Sequence, residues 1–477
     1  MPPQSPRGLV LDTARADEIV TCGVNADHVA WVDAVLGAAR DAFAAEQQGA
    51  DAEATLRRHL RAWVRSHLER DDIGAVADLA ARIRRDFDVF VLVGIGGSDL
   101  GARTLHDALD APYRRPMERG PGGPLELYFV GDTFDPKRLH ALLDLLESRG
   151  ALARTCVNVV SKSGETAETI SAAMAIRERM ERAGIADWRR QFVATTGRSE
   201  GSVLHRMNED KPFYGILPVP EGVGGRFSFA SPVGLLPFAV AAREEPAERL
   251  ERALAGYGEA HEAGLLPADD PRNVAMRLAR WWHLGERYAG YRALVLCNYA
   301  DDARLGDWFT QLYSESVHER GEGLDIIATR GPTGNHSLLN GILRGRHDKL
   351  VLMIRWHELG PDITIPSGPG IEGELADFAG LTMSEVQDAS CRATVADYLA
   401  RGVPTALLTV PARDARCLFL LMRTLMDAVA AKGRLQGLAL RPDGHPDAAA
   451  ALTYTQEGVE GYKAGTRANA VRIRNGD

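Results

Sequence analysis

Cysteine is sparse in this chain of 477 residues: Cys22, Cys156, Cys297, Cys391 and Cys417 are the only five. They are odd in number, widely scattered and never paired as CxxC, which excludes a disulfide framework and argues for reduced thiols in a cytoplasmic protein. Lysine is almost as rare, at Lys137, Lys162, Lys211, Lys349, Lys432 and Lys463, against abundant arginine. A chain that nearly always chooses arginine keeps lysine where a compact ammonium is needed. Excess positive charge is absent as well. The formal net charge of −9 argues against nucleic acid as the main partner, but leaves room for a local cationic pocket. No long hydrophobic run is present. Val233 to Ala242 is the most apolar stretch, too short to span a bilayer and interrupted by Pro237. Met1 to Ala14 lacks the apolar core of a signal peptide. Neither GK[ST] nor HExxH occurs, so chemistry without a metal is expected.

What is present is a rhythm. Residues from about 26 to 86 read as helices, with Leu36, Ala39, Phe43 and then Leu56, Leu60, Val64, Leu68 at helical spacing. From Asp88, strands alternate with helices: Val89–Val93, Leu125–Val130, Cys156–Val160, Phe192–Thr195 and Tyr214–Val219 are the strand runs. A second unit repeats the rhythm with Ala293–Cys297, Leu324–Ala328, Leu350–Ile354 and Thr405–Val410. Uninterrupted apolar strands between helices predict parallel sheets covered on both faces. The expected division is an N-terminal helical segment over 1–86, a first α/β domain over 87–265, a second over 266–431 and a C-terminal arm over 432–477, with a short helix near Val459–Ala468. Doubly wound parallel sheets bind ligands outside the carboxyl ends of their strands, and two such units suggest a crevice between them.

Several motifs fall at those strand ends. Ser161-Lys162-Ser163-Gly164-Glu165-Thr166 joins the third strand to a helix over Ala167–Arg182. A helix N-terminus carries unpaired N–H groups and a partial positive charge, and added hydroxyls make a cradle for a phosphate. Gly94-Ile95-Gly96-Gly97-Ser98-Asp99 follows the first strand, with Asp99 where a dinucleotide fingerprint needs glycine. It reads either as a tight turn or as backbone that approaches a ligand, with Ser98 as a donor. Gly222-Val223-Gly224-Gly225-Arg226-Phe227-Ser228 sets a permanent planar cation in a glycine-rich turn, suited to an oxyanion that forms during reaction. Gln311 and Glu315 share one helix face at i, i+4, and partial burial would make Glu315 a general base. His336 begins a helix after Gly331-Pro332-Thr333-Gly334-Asn335, and Gln456 and Lys463 lie in the polar C-terminal region.

Taken in order, GIGGSDLG, SKSGET, GVGGRFS, QLYSE, PTGNHS and QEGVEGYK resemble the glucose-6-phosphate isomerase family, from about Val89 to Lys463. The resemblance implies two flavodoxin-like sugar-isomerase (SIS) domains. It implies that Ser161, Ser163 and Thr166 hold the phosphate, with Lys162 beside them and Gly97 and Ser98 near the sugar. Glu315 would carry the proton between C1 and C2, and Arg226 would stabilise the cis-enediolate. His336 and Lys463 would open the ring, and Gln311 and Gln456 would contact the ligand. The family's site is completed across a homodimer, with the histidine from the second subunit, and no cofactor is required. Where many members have threonine this chain has Glu165, a carboxylate that would repel phosphate unless it points outward. Asn335 precedes His336 where glutamine is common, Glu457 stands in place of proline or tryptophan, and Gly461-Tyr462 in place of leucine–glycine. Three readings follow: isomerisation of glucose 6-phosphate and fructose 6-phosphate, isomerisation of another 6-anionic hexose, and a non-enzymatic sugar-phosphate sensor. The presence of Glu315, Arg226, His336 and Lys463 together speaks against the sensor, which needs no base.

Overall fold

The computed structural model describes residues 6–110, 123–198, 201–318, 321–368, 370, 372–440, 453–454 and 460–475. The chain enters as a short strand, β1 (Val10–Asp12), and passes into helices α1 (Ala14–Thr21), α2 (Ala26–Ala45) and α3 (Ala52–Arg58). A 3-10 segment over Ala62–Leu68 leads to α4 (Arg70–Asp86). The first sheet then alternates β2 (Val89–Val93), α5 (Leu100–Leu109), β3 (Glu126–Val130), α6 (Pro136–Ser148), β4 (Thr155–Val160), α7 (Ala167–Arg182), β5 (Phe192–Gly197), α8 (Val203–Asp210) and β6 (Gly215–Val219). Helices α9 (Pro232–Val240), α10 (Pro246–Gly264) and α11 (Val274–Arg287) connect to the second sheet. That sheet is built from β7 (Ala293–Tyr299), α12 (Arg304–Val317), β8 (Asp325–Arg330), α13 (Leu339–Arg344), β9 (Lys349–Glu358), α14 (Met383–Ala400) and β10 (Thr405–Ala412). Helices α15 (Ala415–Leu440) and α16 (Glu460–Asn475) follow.

The first sheet is parallel throughout, in the order β3-β2-β4-β5-β6. The second runs β1-β10-β9-β7-β8, with β7 to β10 parallel and β1 antiparallel against β10, Val10 opposite Thr409. Counted within each unit, both have the flavodoxin-type order, in which the first strand is flanked by the second and third. The expected pair of doubly wound α/β sheets is therefore present. Some details differ from the sequence reading. The segment read as wholly helical also supplies β1, a three-residue strand too short to show a period. Helix α15 continues unbroken to Leu440, so residue 432 falls inside a helix rather than at the start of an arm.

Strand alternation explains how the sheets are stacked. On β2, Phe90 and Leu92 join an extended core, while Val89, Val91 and Val93 pack beneath α6 and α7. On β7, Leu294 and Leu296 enter that same extended core, while Val295 and Cys297 face α13 and α14. One face of each sheet is thus buried in a shared apolar layer that also contains α10, α11 and α15. Because that layer holds both sheets, their carboxyl ends are fixed relative to one another. Among the described residues no helix is long and apolar enough to cross a membrane. All five cysteines are free, and burial pushes the thiols of Cys297 and Cys391 up to about 12.

The 3-10 segment is tied to α10 and α15 by polar groups. The buried Arg423 donates from Nη1 to the Val64 carbonyl at 2.9 Å and from Nε to Asp427 at 2.8 Å. His67 and His261 face each other beside it, ring centroids 5.2 Å apart, each with a buried Nδ1 that has no hydrogen-bond partner. Burial first, and then neighbouring cationic groups, holds His67 down to about 3 and His261 to about 4. Both values lie below the ordinary 6.5, so the unfolded chain takes up more protons as pH falls. This contribution to stability is complete above pH 6.5 and is lost as pH falls toward 4 and then 3. We expect the urea midpoint to fall over that window, and to fall less steeply in a His67→Gln/His261→Gln variant. Equal slopes for the two proteins would show that the pair does not contribute.

Candidate active site

The first part of the site is the turn between β4 and α7. Its backbone is pinned from the β5 side: Gly197 N–H donates to the Lys162 carbonyl at 3.0 Å, Val203 N–H to the Ser163 carbonyl at 3.2 Å, and Thr196 Oγ1 to the Ser161 carbonyl at 2.7 Å. Within the turn, Ser161 Oγ lies 2.9 Å from Thr166 Oγ1 and accepts the Gly164 N–H at 3.1 Å, while Ser163 Oγ accepts the Glu165 N–H at 3.2 Å. Thr166 is the N-cap residue of α7, yet its side chain makes no capping bond. The first N–H groups of α7 thus receive no bond from their own cap side chain, beside a set of ordered hydroxyls. Ser161 is buried, while Lys162, Ser163 and Glu165 are exposed.

Strands β2 and β4 are neighbours, with Val93 opposite Val159, so the Gly94–Ser98 loop leaves the sheet beside this turn. The chain has just crossed from β3 on one side to β4 on the other, and such a switch in strand order opens a crevice at the carboxyl ends. The Gly94–Ser98 loop presses against the glycine-rich turn before α9. A Cβ on Gly97 would lie 2.1 Å from the Gly225 carbonyl carbon, so no side chain can occupy that position. Ser228 Oγ is shared between the Gly97 and Gly225 carbonyls at 3.1 and 2.7 Å. Behind Ser98, the buried Asp99 pairs with Arg103, and Arg103 reaches Asp132 at 3.0 Å. Burial raises Asp99 to about 6 against the opposing pull of Arg103.

The glycine contact fixes Arg226, the residue that follows Gly225. Its guanidinium is 2% exposed and is held on three sides. Nε donates to Ser316 Oγ at 2.7 Å, Nη1 to Glu315 Oε2 at 3.3 Å, and Nη2 to the Thr453 carbonyl at 2.6 Å. Burial lowers its pKa from the ordinary arginine value, the adjacent Glu315 opposes that shift only in part, and an arginine stays a cation. Gln311 Nε2 donates to Glu315 Oε1 at 3.0 Å, as the i, i+4 spacing on α12 requires. The Gln311 amide also lies against the first glycine loop, 2.9 Å from where a Cβ on Gly96 would be. Both Glu315 oxygens therefore accept donors, and the carboxylate keeps 27% exposure. A carboxylate oriented this way beside a buried cation can accept and return a proton while the cation stabilises an oxyanion.

The structure brings Gly97, Ser98, Arg226, Gln311 and Glu315 together, with Ser161, Ser163 and Thr166 on the adjacent strand end. It does not bring His336 to them. His336 ends a 3-10 turn over Thr333–His336 and is exposed, and its side chain makes no hydrogen bond or ion pair among the described residues. Asn335 turns inward instead, donating to Tyr299 Oη at 3.0 Å and Thr394 Oγ1 at 2.9 Å. Its departure from the usual glutamine thus belongs to packing of the second sheet. Lys463 is exposed on α16, next to Tyr462, whose hydroxyl donates to Glu168 at 2.7 Å. Glu168 is in the first turn of α7, so α16 is docked near the hydroxyl turn. Gln456 lies outside the described residues. Sequence reasoning missed Ser316 and Thr453. Ser316 sits directly after Glu315 and could have been found from the need of a buried guanidinium for partners, whereas Thr453 contributes only a main-chain carbonyl and leaves no side-chain signal.

Fold and site together define a double-sheet α/β protein with a hydroxyl-rich turn at one strand end and a buried carboxylate–guanidinium pair beside the neighbouring glycine loop. Residues 45–317 match the family model described as phosphoglucose isomerase, and the chain belongs to that family. A glucose-6-phosphate isomerase of Rubrobacter xylanophilus is 35% identical over 84% of this chain and 88% of its own length. A hypothetical protein of Thermus thermophilus superposes with a TM-score of 0.80 at 26% identity, covering 97% of this chain and 99% of that one. The crystal structure of a glucose-6-phosphate isomerase from Chlamydia trachomatis has a TM-score of 0.71 at 19% identity over 98% of this chain and 90% of that one, a likeness of fold.

Forcing the two glycine loops apart should disable the site without unfolding the sheets. Gly97→Ala is expected to lower kcat/KM for a hexose 6-phosphate by about 100-fold, the loss that a displacement of about 1 Å produces. Circular dichroism should remain that of the wild type, and an unchanged kcat/KM would show that the loop contact does not set the geometry.

Proposed function

We propose that this protein interconverts glucose 6-phosphate and fructose 6-phosphate. The observation that carries the reading is the Glu315 carboxylate held between Arg226 and Gln311 beside the Gly94–Ser98 loop. The phosphate dianion is taken by Ser161, Ser163, Thr166 and the first N–H groups of α7, with Lys162 adding positive charge. Gly97 and Ser98 meet the sugar. Binding energy from the phosphate then orients the reacting carbons. The closed sugar must first open, which needs a donor and an acceptor at O5 and O1. His336 and Lys463 take these roles, with Gln456 and Gln311 contacting the ligand. Glu315 removes the proton from C2 of the open aldose and returns it to C1, and Arg226 stabilises the enediolate between the two steps. No cofactor enters this sequence of proton transfers.

The exposed His336 supports a homodimer in which a second copy supplies that histidine, because within its own chain it makes no contact with Glu315. A cytoplasmic setting suits both this substrate and five free thiols. Asn335, which with Glu165 motivated a different 6-anionic hexose, anchors Tyr299 and Thr394.

Incubation with fructose 6-phosphate should yield glucose 6-phosphate in a coupled assay, and absence of product from folded protein would refute the reading. Glu315→Gln should lower kcat by about 1000-fold while fructose 6-phosphate still binds, in the range expected for loss of a general base. Ser163→Ala and Thr166→Ala should each raise KM by about 10-fold with a smaller loss of kcat, as for removal of one hydrogen bond to a charged group. An unchanged KM in both would count against the hydroxyl cradle.

A further inference from the structure

Helix α12 carries Gln311, Glu315 and Ser316, and both of its ends are held by side chains from elsewhere. At its start, Asp107 of α5 accepts the Ala303 and Arg304 N–H groups at 2.9 and 3.3 Å, and Thr104 Oγ1 donates to the Arg304 carbonyl at 3.0 Å. At its end, the chain becomes extended at His318, with φ −82° and ψ 97°, so the last carbonyls need outside partners. Gln436 of α15 supplies one, donating from Nε2 to the Val317 carbonyl at 2.6 Å. The Gln436 amide is itself oriented by Lys432, whose Nζ donates to its Oε1 at 3.1 Å. Lys432 is paired with Glu286 of α11 at 2.6 Å, and Glu286 also accepts the Gly323 N–H in the loop that follows α12.

The members of this chain are deeply buried: Lys432 is 0%, Glu286 4% and Gln436 5% exposed. None touches the groups assigned to substrate. A buried ion pair is weak support for stability, because desolvation costs about as much as the attraction returns. Its contribution is better sought in orientation. Lys432 is also one of six lysines in a chain rich in arginine, placed where a compact ammonium fits between one carboxylate and one amide. Glu315, Ser316 and Val317 are consecutive on the last turn of α12, so a shift of the Val317 carbonyl moves both the carboxylate and the hydroxyl that receives Arg226 Nε.

We propose that Gln436, held by the Lys432–Glu286 pair, is a positioning residue that sets the last turn of α12 and thereby aligns Glu315 and Ser316 with Arg226. The inference rests on Glu315 as the proton carrier. It predicts a split between kinetic constants, since the hydroxyl turn that binds phosphate belongs to the other sheet. Gln436→Met keeps the side-chain length and removes the donor. It should lower kcat by about 30-fold, within the range for a sub-ångström to 1 Å misplacement, with KM for fructose 6-phosphate within about threefold of wild type. The double variant Lys432→Met/Glu286→Gln removes both charges and keeps an acceptor for Gly323. It should lower kcat by about 10-fold, again with KM little changed, because Gln436 loses its guide rather than its donor. Thermal midpoints and circular dichroism on the same samples report folding. A folded Gln436→Met variant that retains wild-type kcat would overturn the proposal, as would losses of kcat that merely follow the folded fraction. A wild-type enzyme that isomerises, with Glu315→Gln inactive and Gln436→Met normal, would refute this inference alone. A wild-type protein without turnover would refute the functional reading beneath it.

Discussion

The burial of the Arg226 guanidinium is the constraint around which the rest of this molecule is arranged. A permanent cation at 2% exposure must have its donors satisfied. The three partners come from two distant parts of the chain: Glu315 and Ser316 from α12 of the second unit, and the Thr453 carbonyl from the C-terminal region. Arg226 itself belongs to the turn that follows the first sheet. Satisfying one side chain therefore ties the first sheet, the second sheet and the C-terminal segment at one point. The same requirement orients Glu315, because the cation that needs a carboxylate partner also gives that carboxylate a fixed direction.

The neighbouring elements make this point rigid. The Gly97–Gly225 contact leaves no room for a side chain and presses the Gly94–Ser98 loop onto the arginine turn. Helix α12 is gripped at its start by α5 and at its end by α15, so its polar face cannot rotate independently of the first sheet. The shared apolar layer supplies most of the stabilisation, and the polar contacts select one arrangement within it. The hydroxyl turn is organised separately, by hydrogen bonds from β5 and from the start of α8.

Most strands and helices were legible because their residues obey local rules. The apolar runs of β2, β4 and β7 are bounded by polar or glycine-rich turns, and α7 covers Ala167–Arg182 as its spacing predicts. Strand β1 was not legible, since three residues carry no period and its pairing with β10 joins positions almost four hundred residues apart. Helix α8 was also missed. The pairing of Glu315 with Gln311 followed from helical spacing, whereas the pairing of either with Arg226 did not. The Thr453 carbonyl has no sequence signature, because any residue offers one.

The amino-acid sequence by itself determined the class of fold, the order of the turns at the strand ends and the types of group available there. Those properties depend on local spacing, on turn chemistry and on the alternation of buried faces. The tertiary structure decided which of those groups meet. It joined Arg226 to Glu315, Ser316 and Thr453, sent Glu165 to solvent and Asn335 into the second sheet, and left His336 apart. These outcomes depend on contacts across hundreds of residues, where burial of a shared apolar layer and satisfaction of buried polar groups act together, and no short stretch of sequence encodes them.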